Sequence, residues 1–180
     1  HEALKSLPQV LKHCGIEQAI FIGHSHGGSI ALIFGAASPE RTMGIITEAA
    51  HVFVEEVTLA GIRVAITAYE HTDLPARLAR YHGNRTDQVF RRWSGTWLAP
   101  AFRAWNIEEL LPRIRCPVLA IQGEDDPYGT PEQVESIVRR ISGRAEGFIV
   151  PRCGHIPHHQ ARGEVAEAMK RFIHDILSIH

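Results

Sequence analysis

Ser25 stands in Ile22-Gly23-His24-Ser25-His26-Gly27-Gly28, a G-x-S-x-G pattern between a short apolar stretch and a helix-forming one. That spacing is a nucleophile elbow, a sharp strand-to-helix turn that lifts a serine hydroxyl clear of a sheet. Glycines flank it because the turn strains the central residue and brings helix and strand so close that side chains would collide. A serine is a weak nucleophile at neutral pH, so it needs a base within hydrogen-bond reach and a third group that fixes the base's tautomer. Two later residues are placed to supply them. Asp126 follows the apolar run Pro117 to Gln122 and Gly123, and His155 follows Phe148-Ile149-Val150 and a short loop. The helix start after Ser25 aims N–H groups and the positive end of a dipole at whatever carbonyl the serine attacks.

The elements that must position these groups follow from hydrophobic patterning. Strands are expected at Gln18–Ile22, Met43–Thr47, Val118–Gln122 and Gly147–Val150, and a helix over 29–37 that stops at Ser38-Pro39. Residues 1–14 read as one helix with apolar positions Leu4, Leu7, Val10 and Leu11. Between the second and third strands, residues 51–113 lack strand alternation and carry helical stretches at 55–70, 74–81, 86–96 and 107–111. Both candidate partners of Ser25 sit just past strand ends, where open α/β sheets build their sites.

In motif and order the chain resembles the α/β-hydrolase superfamily, specifically its small members with a helical cap. The order Ser, Asp, His is the order of that family's triad. The resemblance spans almost the whole chain and implies a mostly parallel sheet flanked by helices, with a core of 1–50 and 114–180 and a cap of 51–113. It makes Ser25 the nucleophile, His155 the general base and Asp126 the orienting acid. In the family the acid commonly comes three residues after the loop glycine, which from Gly123 gives Asp126, with Asp125 the alternative. The N–H of His26 is the expected first oxyanion donor. The second donor in such enzymes comes from a loop well before the elbow. Only 22 residues precede Gly23, so that loop has no room here. The chain is therefore expected to be the C-terminal portion of a larger hydrolase, lacking the sheet's first strands. The elbow strand then becomes an edge, to be covered by residues outside this sequence or by a second chain.

The nucleophile type narrows the reaction. Family members that hydrolyse haloalkanes or epoxides use aspartate at the elbow, so Ser25 points to acyl chemistry. A small-molecule carboxylic ester or related acyl substrate is expected, and the C–C bonds of ring-cleavage products are the enzymatic alternative. A non-catalytic, hydrolase-like binding module is the alternative of a different class.

Twelve histidines call for discrimination. His24 and His26 flank the serine in an H-x-H spacing, but no carboxylate or cysteine near them in sequence completes a ligand set, so neither a metal nor another cofactor is expected. His24, Trp93 and Trp97 are candidates for the substrate pocket, although large aromatics more often pack structure. His158 and His159 are expected to begin the last helix or line the site mouth.

A net charge of −1 without a basic stripe gives no support to nucleic-acid binding, and no apolar run approaches a membrane span. Cys14, Cys116 and Cys153 are scattered thiols of the kind found in a reducing compartment, so a cytoplasmic location is expected.

Overall fold

The computed structural model describes residues 1–178 and divides them into two compact units, His1–Phe53 with Asn106 onwards, and Val54–Trp105. The first unit holds four strands, β1 (Ala19–His24), β2 (Thr42–Glu48), β3 (Val118–Gly123) and β4 (Ala145–Val150). They pair in the order β1-β2-β3-β4, every neighbour parallel. Parallel neighbours need crossovers. α2 (His26–Ala37) follows β1, α6 (Glu132–Arg140) links β3 to β4, and the second unit is inserted between β2 and β3.

Strand alternation sends successive side chains of β2 to opposite faces. A methyl group built on Gly44 would meet Ile176 of α8 (Arg162–Leu177), whereas Ile45 and Thr47 face Gly35 and Gly28 of α2. Helices thus cover both faces. On the α8 side Ile46, Leu119, Ile121, Val150, Val165, Phe172 and Ile176 form one buried cluster. On the other side Phe34 packs with Ala3 and Leu11 over Phe21. β3 is buried at all its positions, the continuous apolar run of a strand covered on both faces. β1 lies at one edge of the sheet, and its Ile22 is 55% exposed.

All four expected strands form, each within two residues of the expected bounds. The expected single N-terminal helix is instead a π-helical turn (Glu2–Ser6) leading into α1 (Leu7–His13), with Pro8 in the first turn of α1. Pro8 has no N–H to donate, so it is tolerated only at a helix start.

The second unit is helical, with α3 (Glu56–His71), α4 (Leu74–His82) and α5 (Thr86–Leu98). Tyr69 of α3 stacks on Phe90 of α5 with ring centroids 3.9 Å apart. The flanks of the expected insertion belong to the first unit: Phe53 bridges Asn106, and Ile107 donates its N–H to the Val52 carbonyl at 2.8 Å. The helical stretch expected at 107–111 is 3-10 helix over Glu108–Arg113, where Pro112 has no N–H to give the ladder.

Candidate active site

In a parallel sheet every strand ends at the same edge, and here each strand end carries a polar group. β1 runs into Ser25, β2 ends on Glu48, β3 leads to Asp126 and β4 to His155. The elbow is held at φ 52° for Ser25, a left-handed value that a serine adopts only when its surroundings enforce it. The enforcement is visible. The Ser25 N–H donates to the Glu48 carbonyl at 2.7 Å, and α2 starts at the next residue. A Cβ on Gly23 would lie 2.3 Å from the Gly27 carbonyl oxygen, so helix and strand approach each other as only glycine permits. His26 opens α2, where the first N–H groups of a helix have no acceptor within it.

His155 and Asp126 are brought together. The His155 Nδ1 lies 2.8 Å from Asp126 Oδ2 and 3.0 Å from Oδ1. A carboxylate only accepts, so Nδ1 donates to it, and in the neutral imidazole the lone pair then lies on Nε2. Asp126 is fully enclosed: Gln122 Nε2 donates to Oδ2 at 2.6 Å and the Tyr128 N–H to Oδ1 at 2.8 Å. Three donors on one buried carboxylate compensate its lost hydration. The Tyr128 ring meets the His155 ring edge-on at 4.8 Å, and burial, then the nearby Asp126 charge, pushes the Tyr128 hydroxyl above its ordinary pKa. Asp125 is exposed and gives its N–H to the Cys153 carbonyl.

His24 donates its Nε2–H to the His155 carbonyl at 2.7 Å, which ties the residue before the serine to the main chain of the histidine. Its pKa is lowered, chiefly by burial. Trp93 and Trp97 lie in the helical unit, Trp93 against Phe90 at 5.5 Å and Trp97 against Phe102 and Trp105 at 5.2 and 6.1 Å. Among the described residues no group of three or more His, Cys, Asp or Glu side chains is arranged to hold a metal ion, and no helix is long and apolar enough to cross a membrane.

Sequence reasoning missed Glu48, whose buried carboxylate accepts from the main-chain N–H of His158 at 3.0 Å and from its ring Nδ1 at 3.1 Å. The available signal was a lone acid closing an apolar strand, Gly44-Ile45-Ile46-Thr47-Glu48. His158 and His159, expected to begin the last helix, lie instead in the short α7 (Pro157–Gln160) that precedes α8. Gln122 and Gln160 were also missed; Gln160 Oε1 accepts the Gly154 N–H at 2.7 Å and so holds the loop before His155.

A parallel sheet with an elbow serine and a histidine–carboxylate pair at its carboxyl edge defines a hydrolase-type site. The chain belongs to the alpha/beta hydrolase family, whose model matches residues 1–168. Among curated proteins it is similar to a 2-hydroxy-6-oxononadienedioate/2-hydroxy-6-oxononatrienedioate hydrolase of Comamonas testosteroni, 24% identical, covering 97% of this chain and 68% of that protein. It is also similar to a 2-hydroxy-6-oxo-6-phenylhexa-2,4-dienoate hydrolase of Burkholderia cepacia, 25% identical, covering 91% of this chain and 64% of that one. The chain thus spans about two thirds of the length of these relatives. A thermophilic esterase from Thermogutta terrifontis shares the fold, with a TM-score of 0.64 at 21% identity over 94% of this chain and 70% of that one.

Proposed function

We propose that this chain carries the catalytic residues of a serine hydrolase acting on a small-molecule carboxylic ester or related acyl substrate. The observation that carries this reading is the buried Asp126 accepting from His155 Nδ1, which leaves Nε2 as a base, in a sheet that also ends on a strained Ser25. In this scheme His155 takes the Ser25 proton as the hydroxyl attacks the carbonyl, and the His26 N–H stabilises the oxyanion. The imidazolium, steadied by Asp126, then protonates the leaving group. Water, deprotonated by His155, clears the acyl enzyme. Ser25→Ala should abolish turnover of 4-nitrophenyl esters and labelling by a fluorophosphonate; turnover that survives the substitution would remove Ser25 from the mechanism.

A second reading has its own support in the two curated relatives. The substrates in their names carry a 6-oxo group and no ester, so hydrolysis there breaks a carbon–carbon bond beside a ketone. A vinylogous 2-hydroxy-6-oxo-dienoate offered alongside the esters separates the readings by which is turned over with the larger kcat/KM.

A further inference from the structure

We propose that Glu48 is a positioning residue for the catalytic pair, holding the Ser25 elbow with its main chain and the His155 loop with its side chain. The inference rests on the reading of Ser25, His155 and Asp126 as the triad. Glu48 ends β2 with its side chain 5% exposed, and a carboxylate is kept from water at considerable cost unless its oxygens are bonded. Both of its bonds go to one residue: Oε2 accepts the main-chain N–H and the ring Nδ1–H of His158. Pro157 has no N–H, so after Ile156 the His158 N–H is the next main-chain donor of the segment following His155, and Glu48 takes it. On its other side Glu48 presents its carbonyl to the Ser25 N–H at 2.7 Å.

The arrangement closes on itself. Ala49, next along the chain, is also left-handed at φ 51° and donates to the Ile121 carbonyl at 2.8 Å, so the end of β2 cannot drift away from β3. The His158 ring meets the His24 ring edge-on at 5.3 Å, and His24 holds the His155 carbonyl. The segment 155–158 is thereby pinned at both ends, at the His155 carbonyl from β1 and at the His158 N–H from β2. Both pins come from residues that also fix Ser25: His24 precedes it, and Glu48 accepts its N–H. Hydrogen bonds to Asp126 orient the imidazole plane; the main chain beneath it is held by His24 at the His155 carbonyl, by Gln160 at the Gly154 N–H and by Glu48 at the His158 N–H, and of these Glu48 also takes the Ser25 N–H.

Displacing a reacting group by about 1 Å can cost on the order of 100-fold in rate. The test is fluorophosphonate labelling of the purified protein, read as both the rate constant and the fraction labelled at completion, with kcat and KM for 4-nitrophenyl butyrate. Glu48→Ala should label to the same final fraction with a rate constant lower by roughly 10- to 100-fold, and kcat should fall while KM holds. Glu48→Gln, which keeps an acceptor for the His158 N–H, should recover most of that loss. His158→Ala removes the half-buried ring and its bond to Oε2 but keeps the main-chain N–H, so it tests the side-chain half of the tie if the Glu48 variants fail to fold, and it should slow labelling less than Glu48→Ala would, without reducing the labelled fraction. Rate constants within twofold of the parent in all folded variants would overturn the proposal. So would a reduced labelled fraction with an unchanged rate constant, since that marks a role in folding alone. Labelling that persists in Ser25→Ala, or is absent from the unsubstituted protein, would instead sink the triad reading on which the proposal rests.

Discussion

His24 and His155 are joined by a hydrogen bond from an imidazole Nε2–H to a main-chain carbonyl, 2.7 Å long and spanning 131 residues of sequence. Since the carbonyl can only accept, His24 is held with Nε2 protonated, and burial lowers its pKa below the ordinary histidine value. The unfolded chain therefore binds a proton at His24 more readily than the folded one. Stability from this site is fully present above the unfolded histidine pKa and is lost as the pH falls from there towards the lowered folded value. The melting temperature of the parent should drop more between pH 7.5 and pH 5.5 than that of His24→Gln, which has nothing to titrate. An equal drop in the two proteins would contradict the assignment.

The two glycines of the elbow pattern should respond in opposite ways to alanine. At Gly23 a Cβ would stand 2.3 Å from the Gly27 carbonyl oxygen and 2.5 Å from the Gly28 nitrogen, both main-chain atoms that cannot rotate aside. At Gly27 the same Cβ meets nothing within 4 Å. Gly23→Ala should cost about 3 kcal/mol or more, at the upper end of overpacking effects. Gly27→Ala should be neutral or stabilise by up to ~1 kcal/mol, as alanine does in a helix. Urea unfolding of both variants measures the difference.

The three thiols should separate cleanly by reactivity. Cys14 is exposed, Cys116 is pushed up to about 11 by burial, and Cys153 is buried and raised by desolvation together with the negative field of Asp126 and Glu48. Only the thiolate attacks an alkylating reagent, and a thiol with that Cys116 value holds about one part in a thousand of it at pH 8. Iodoacetamide at pH 8 should modify Cys14 first, with Cys116 and Cys153 protected until the protein unfolds, as mass spectrometry of timed samples would show. Loss of ester turnover in step with Cys14 alkylation would be unexpected, because Cys14 lies beyond α1 and none of the site's hydrogen bonds involves it.

What the sequence made legible here was what local patterning controls. The strands, the elbow around Ser25 and the positions of Asp126 and His155 past strand ends follow from apolar runs and glycine placement. The sheet's parallel pairing then brings those ends to one edge. Glu48 was not legible because its role depends on a contact 110 residues away, with His158, whereas Gln122 and Tyr128 reach Asp126 over four and two residues through a turn that hydrophobic patterning does not specify. Where the helical insertion closes is likewise not a local feature. Phe53 and Asn106 are 53 residues apart, and only their bridge shows that the segment closes where it does. In residues 107–111 the apolar pattern reads as helical without distinguishing α from 3-10, and the helix that forms over Glu108–Arg113 is 3-10.

Asp126→Asn probes the proposed orienting acid more sharply than truncation does. Asp126 Oδ2 accepts from Gln122 Nε2 at 2.6 Å and Oδ1 from the Tyr128 N–H at 2.8 Å, so whichever oxygen becomes an amide nitrogen faces a donor with another donor. Leaving one such buried group unpaired costs about 1–3 kcal/mol. If the new amide points at His155 instead, it drives the imidazole proton to Nε2 and removes the base. Either way the loss in kcat should be on the order of 10⁴-fold, the scale for replacing such an acid by its amide. Asp125→Asn, at an exposed position that gives its main-chain N–H to the Cys153 carbonyl, should stay within about twofold of the parent, as exposed loop substitutions generally do. Kinetics of the two variants on one ester decide between neighbouring carboxylates that the sequence could separate only by spacing. A large loss at Asp125 with none at Asp126 would reassign the acid.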